Sequence, residues 1–75
     1  MDASNLMKMA NQIGYFFESM PDRDEAQRGV VNHIRNSWDP RMRKSFLSRI
    51  DTTQDAMLTD FVKNAITTHR ALLGQ

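Results

Sequence analysis

The chain has 75 residues, a formal net charge of +1, six methionines and no cysteine. That length makes one domain, able to fold alone but helped by a partner surface. The missing cysteines exclude a disulfide scaffold, a thiolate metal site and an iron–sulfur cluster held by this chain, and they fit a reducing compartment. No apolar run approaches a membrane span and no signal-peptide pattern opens the chain, so a cytoplasmic location is expected.

Leu6, Met9, Ala10, Ile13, Phe16, Phe17 and Met20 fall on one side of a helical wheel and predict an amphipathic helix over about residues 3–19. Asp2 or Ser4 can cap it. Gly14 lies at the edge of the apolar side, where it costs about 0.5–1 kcal/mol against Ala. It reads as a close helix approach, with a kink as the alternative. Tyr15 points the other way, among Lys8, Asn11, Gln12 and Glu18. It is a candidate interface residue beside the plainer reading of an ordinary exposed tyrosine.

Pro21 ends this helix. Asp22 and Glu25 read as N-cap and N3 of a capping box opening a second helix over about 23–37, and two acids in its first turn suit the helix dipole. Ala26, Val30, Ile34 and Trp38 form one stripe, flanked by Val31, and Gly29 weakens the helix slightly. Asp39-Pro40 then combines an N-cap with a proline at N1. The residue before a proline is pushed out of the α region, so the second helix stops near Trp38 and a tight corner follows. Trp38, Asp39 and Pro40 are read as this structural corner, with the Trp38 ring wedged centrally between helices.

The third helix is expected over about 40–50, with Met42, Phe46, Leu47 and Ile50 on its apolar side. Arg43 projects into the same side, either snorkelling to water or paired with an acid. A turn at Asp51–Asp55 leads to a last helix over about 54–73, for which Gly74 suits the C′ position. Its apolar residues, Met57, Leu58, Phe61, Val62, Ala65, Ile66, Leu72 and Leu73, cover half the wheel, wider than one stripe needs. Either that helix sits deep or part of its face waits for another chain. The fold expected is all-α, a small bundle of three to four short helices around a central Trp, with no strand.

Catalysis and metal binding need groups that converge. The sequence has no Gly-rich phosphate loop, no H-E-x-x-H and no telling carboxylate pair, and His33 and His69 lie 36 residues apart. Each histidine reads as structural, so no catalytic or metal residue is assigned. Between residues 35 and 50 five cations (Arg35, Arg41, Arg43, Lys44 and Arg49) face one anion, Asp39. A helix-turn-helix could use such a cluster on phosphates. Against nucleic acid stand a pI of only about 8.2, a turn without glycine, and no Asn or Gln early in the would-be recognition helix. A solvated basic side is the plain alternative. A protein-binding surface is the reading kept, with Tyr15, Arg35, Arg41, Arg43 and Lys44 as candidate contacts, since Arg, Trp and Met are enriched at interfaces.

These residues also resemble one family. Met9-Ala10-Asn11-Gln12-Ile13-Gly14, Phe16-Phe17-Glu18 and Met20-Pro21-Asp22-Arg23 are similar to the opening of the delta subunit of the NAD-dependent, molybdenum-containing formate dehydrogenase. His33-Ile34-Arg35 with Trp38-Asp39-Pro40-Arg41-Met42-Arg43 resembles its centre, and Ala65 with His69-Arg70-Ala71-Leu72-Leu73 its end. Residues 51–60 match least. The resemblance implies a non-catalytic accessory subunit of a cytoplasmic complex. In such complexes the alpha subunit carries bis-molybdopterin guanine dinucleotide and iron–sulfur clusters, while beta and gamma carry flavin mononucleotide (FMN) and further clusters and serve NAD. The delta subunit is linked to assembly, to stability, or to insertion or retention of the molybdenum cofactor. The expected partners are thus the catalytic alpha subunit and the rest of that complex, with no cofactor bound by this chain alone and no membrane. The alternatives are a small helical DNA-binding regulator on the basic corner and a self-assembling helical module using the wide last helix, which would make the isolated chain a homo-oligomer.

Overall fold

The computed structural model describes residues 3–73, with backbone only for 3 and 53–55. In chain order these are α1 (Ala3–Glu18), α2 (Arg23–Ser37), α3 (Pro40–Arg49), a π-helical turn (Ile50–Gln54), a 3-10 turn (Asp55–Met57), α4 (Asp60–Thr68) and a closing 3-10 turn (Arg70–Leu73). The described residues contain no strand, and the fold is all-α. The proposed caps Asp2 and Gly74 lie outside the described residues. Ser4 lies inside α1 rather than capping it.

Two aspartates set the starts of α2 and α3. Asp22 accepts a hydrogen bond from the Glu25 backbone N–H at 3.1 Å, and Asp39 accepts one from Met42 N–H at 2.9 Å. Each satisfies a donor that the first helical turn leaves unpaired. Trp38 and Asp39 are both extended, with ψ of 137° and 167°. The corner therefore falls where the proline demands it. Trp38 N–H still reaches Ile34 O at 2.9 Å, which closes α2.

Arg43 has no acid partner among the described residues; its half-buried side chain meets backbone carbonyls instead. Its Nη1 donates to the carbonyls of Arg35 and Trp38, at 2.9 and 3.0 Å. These oxygens belong to the end of α2, where helix carbonyls lack partners and the dipole favours a cation. Arg43 thus locks the corner from the α3 side.

Ala26, Val30, Val31, Ile34 and Trp38 are all buried, as the stripe predicts. Trp38 belongs to this core and is 4% exposed. Its ring meets Phe46 edge-on, with centroids 5.2 Å apart. The largest fully buried side chains are Phe46, Leu6, Met7, Ile34 and Ile66. Met7 was absent from the expected apolar face of α1, and Phe16, expected in the core, is 75% exposed. The reason is the seating of α1. A Cβ on Gly14 would lie 2.5 Å from Val62 Cγ2 on α4, and one on Gly29 of α2 would overlap the Phe17 ring. Both glycines are close-approach sites. They draw the Met7–Ala10–Gly14 side of α1 inward and turn the Met9–Ile13–Phe16 side out.

The expected helix over 54–73 is the main correction. α4 begins only at Asp60, because residues 57–59 are held in a turn by α1. Asn11 Nδ2 donates to Met57 O at 2.9 Å, and Asn11 Oδ1 accepts from Thr59 N–H at 3.0 Å. Thr59, extended at ψ 157°, then caps α4 through its hydroxyl and Val62 N–H at 3.3 Å. At the other end His69 caps α4 and the chain tightens into the 3-10 turn. The apolar face of α4 is spent inside: Phe61, Val62, Ala65 and Ile66 are buried, as are Leu58 before it and Leu73 after it. The last helix therefore sits deep. Arg70 and Asp51 join the closing turn to the π-helical turn by two hydrogen bonds of 2.7 Å. That hydrogen-bonded pairing holds the Asp51 carboxyl below its ordinary value and raises Arg70. The clamp is present above the unfolded carboxyl pKa and is lost as pH falls through the lowered folded value. Both side chains are solvated, so its contribution to stability is small.

Two outcomes are expected. Trp38→Ala should remove about 3–5 kcal/mol from a total of about 4–11 kcal/mol for a chain this size, leaving it partly or wholly unfolded by thermal circular dichroism. Gly14→Ala, which in a free helix would stabilise by about 1 kcal/mol, should here lower the melting temperature. Val62 is β-branched and stiff, and overpacking costs about 1–3 kcal/mol. A rise in melting temperature would show that α1 and α4 are not packed backbone to side chain.

Candidate protein-docking groove

The outward side of α1 becomes one wall of a groove. Met9, Gln12, Ile13, Phe16 and Phe17 line it from α1, His33 and Ser37 from α2, and Trp38 and Met42 from the corner and α3, enclosing about 600 Å³. None of these residues is Asp, Glu, Lys or Arg. The groove is organised from below by Gly29. With no Cβ there, the Phe17 ring lies against α2. Phe17 in turn carries His33 at 6.3 Å and holds the Phe16 ring edge-on at 5.0 Å. Phe16 is therefore an aromatic held at the rim of an apolar trough and left to water. An exposed large apolar patch of this kind marks an interaction site more often than a single exposed leucine does.

The charged candidates are elsewhere. Tyr15 is 62% exposed on α1, outside the groove lining. Arg35 and Arg43 border a hollow with Ala71, Leu72 and Leu73, and Lys44 borders another with Asp51 and Arg70. Arg41 is exposed beside the corner. Arg35, Arg41, Lys44 and Arg49 form no ion pair among the described residues, where the salt bridges link Arg28 to Asp24, Lys63 to Asp60 and Arg70 to Asp51. The five proposed contacts therefore do not converge on one site. Arg43 is committed to α2.

The two histidines are also apart. His33 faces the groove, whereas His69 is nearly buried, with Nε2 3.2 Å from Asp24 Oδ1. That approach lacks hydrogen-bond alignment, since His69 Nε2 has no hydrogen-bond partner. Asp24 meanwhile takes Arg28 Nε on its other oxygen at 2.8 Å. No group of three or more His, Asp or Glu able to hold a metal occurs among the described residues.

The groove residues were legible only as part of the core. The signal that separates them is the full apolar arc of α1. Once Met7 is included, it spans from Phe16 round to Met7, about half the wheel and wider than one packed stripe. The last helix has an equally wide apolar arc, but there Phe61, Val62, Ala65 and Ile66 are buried.

Fold and groove together define a small all-helical protein that carries an uncharged, mainly apolar trough between α1, α2 and the start of α3. The chain belongs to the family described as NADH-dependant formate dehydrogenase delta subunit FdsD, which it matches over residues 5–66. That span holds the A-N-Q-I-G and W-D-P-R-M-R segments and stops short of His69–Leu73. The family name places such chains within a multi-subunit formate dehydrogenase. Searches of curated proteins and of solved structures found no match. No described helix is long and apolar enough to cross a membrane.

Two substitutions should fail in different places. Gly29→Ala should displace the Phe17 ring and disorder the groove floor. Trp38 fluorescence and the ring-shifted methyl resonances of Ile13 should change, with a stability loss of about 1–3 kcal/mol. Asn11→Ala should leave the groove intact but release the turn at Met57–Thr59, costing about 1–3 kcal/mol for two hydrogen bonds. Raised amide exchange confined to residues 57–62 would check it.

Proposed function

We propose that this chain is a non-catalytic accessory subunit that docks, through the α1–α2–α3 groove, onto the catalytic alpha subunit of a cytoplasmic formate dehydrogenase. There it supports assembly, stability or loading of the molybdenum cofactor. The observation that carries this reading is Phe16, an aromatic left 75% exposed at the rim of an apolar groove, in a chain of the delta-subunit family. The redox groups of the complex, bis-molybdopterin guanine dinucleotide, iron–sulfur clusters, FMN and NAD, are assigned to its other subunits. This chain acts on them only through the protein it holds.

A groove of this type binds by shape and desolvation. The methionines Met9 and Met42 adapt to a partner surface, while Phe16 and Trp38 offer the rigid aromatic area typical of binding hot spots. A self-assembling module built on the last helix is disfavoured, since Phe61, Val62, Ala65 and Ile66 are buried and the helix packs on α1 and α2. Binding of DNA by the basic corner would show as affinity falling steeply with salt.

Phe16→Asp is the decisive variant. Because the ring is already solvated, helix content and melting temperature should stay near wild type. Loss of a hot-spot aromatic should weaken co-purification with the alpha subunit by more than about 2 kcal/mol, roughly thirtyfold. Complex prepared without this chain should contain less molybdenum per alpha subunit. An enzyme equally active and metal-loaded without the chain would remove the assembly role, and unchanged co-purification of Phe16→Asp would remove the groove as the docking site.

A further inference from the structure

Resting on that reading, we infer that the groove carries an oxidation switch: a hydroperoxide converts Met9 and Met42 to sulfoxides in the free chain, and the oxidised groove docks poorly. Met9 lines the groove from α1 and Met42 from α3, and both residues are half-buried. Met7, two positions before Met9, is fully buried in the core. Met20 and Met57 are also reachable from water, but neither lines the groove. A peroxide in solution therefore reaches both groove sulfurs and misses the one in the core. Leucines would fill the same walls without this sensitivity.

Asn5 singles out Met9. Its Nδ2 donates to Met9 Sδ at 3.7 Å, across one turn of α1. A thioether is a weak acceptor, and a second sulfur lone pair stays open. That pair attacks the outer oxygen of the peroxide. An S–O bond forms as the O–O bond breaks. The proton of the transferred oxygen passes to the departing one, which leaves hydrogen peroxide as water. The sulfur loses two electrons and the peroxide gains them. The new oxygen is a much stronger acceptor than the sulfur, and the Asn5 N–H is already directed there. The oxidised side chain therefore stays at the wall, where a partner must cover it. Oxidation turns a flexible apolar side chain into a polar one. A partner that fits the trough by apolar area then has to desolvate an S–O dipole on each of two walls, which costs binding. Two thiols reverse the step through a methionine sulfoxide reductase, giving thioether, disulfide and water.

The test treats the full chain with hydrogen peroxide, removes the peroxide, and then adds alpha subunit prepared without this chain. Peptide mass spectrometry should place one added oxygen on Met9 and one on Met42 while Met7 stays unoxidised. Co-purification should weaken at least about tenfold with helix content unchanged, and reductase with dithiothreitol should restore it. M9L/M42L, which conserves apolar volume, should dock like wild type before and after peroxide. M20L/M57L should lose docking on oxidation as wild type does. An oxidised chain that docks undiminished would overturn the switch. So would Met7 oxidising as fast as Met9, M9L/M42L losing its docking to peroxide, or a loss that comes only with melted helices. Each of these can occur while Phe16→Asp, measured without peroxide, still abolishes co-purification with the alpha subunit. Failure here is thus separable from failure of the proposed function.

Discussion

Two missing side chains govern this molecule. At Gly14 there is no room for a Cβ against Val62, and at Gly29 none against the Phe17 ring. Each glycine weakens its own helix by up to about 1 kcal/mol, and each lets α1 settle closely onto a neighbour. Close packing is what gives a core its directional preference, since dispersion contacts are lost within fractions of an ångström. With α1 seated this way, its wide apolar arc is divided. Leu6, Met7 and Ala10 are fully buried, while Met9, Ile13 and Phe16 face the groove. One helix thus serves the fold with one side and an apolar surface with the other, and the dividing line is set by where the glycines fall.

The segment Ala10-Asn11-Gln12-Ile13-Gly14 can now be read one residue at a time. Ala10 is small and buried, Asn11 clamps the turn before α4, Gln12 and Ile13 line the groove, and Gly14 receives Val62. Each position does something different, which is why the run as a whole is more distinctive than any part of it. Its role is also largely tertiary. Asn11 bonds to residues 46 and 48 positions away, so it ties the first helix to the last and makes the chain's two ends one cooperative unit. The turn it holds lies within residues 51–60, inside the span that matches the family. A backbone carbonyl and a backbone N–H are what Asn11 recognises, and every non-proline residue supplies both.

What the sequence shows and hides follows the range of the interactions. The Asp22 and Asp39 caps, the Pro40 corner and the Ala26–Val30–Ile34–Trp38 stripe are local or periodic, and each is found where the pattern puts it. Arg43 was anomalous in the sequence as a cation on an apolar face. Its partners were not visible there, because the unpaired carbonyls at the end of α2 are backbone atoms without a side-chain signature. The last helix was misjudged for a related reason. Met57, Leu58, Leu72 and Leu73 are apolar and helically spaced, but Asn11 and Thr59 impose a stop from outside the local pattern. The candidate site suffered most. An apolar residue that faces a partner and one that faces the core have the same chemistry, so Phe16 and Met7 could be told apart only once the seating of α1 was known.

The separation of groove from cations matters for how such a chain can work. A surface that is both apolar and densely basic would attract nucleic acid and membranes indiscriminately. Here the trough lining is uncharged and the candidate cations lie outside it, so apolar area and charge occupy different parts of the surface. Burying Met9, Ile13, Phe16 and Met42 adds apolar burial that the isolated chain lacks, and any partner that binds only the folded form raises its stability by mass action. For a chain of 75 residues with no cysteine to form a disulfide, that increment is a considerable share of the total. On the docking proposed above, folding and binding would be coupled through α1: the seating that completes the core also presents the groove, and a partner in the groove would hold α1 in that seat.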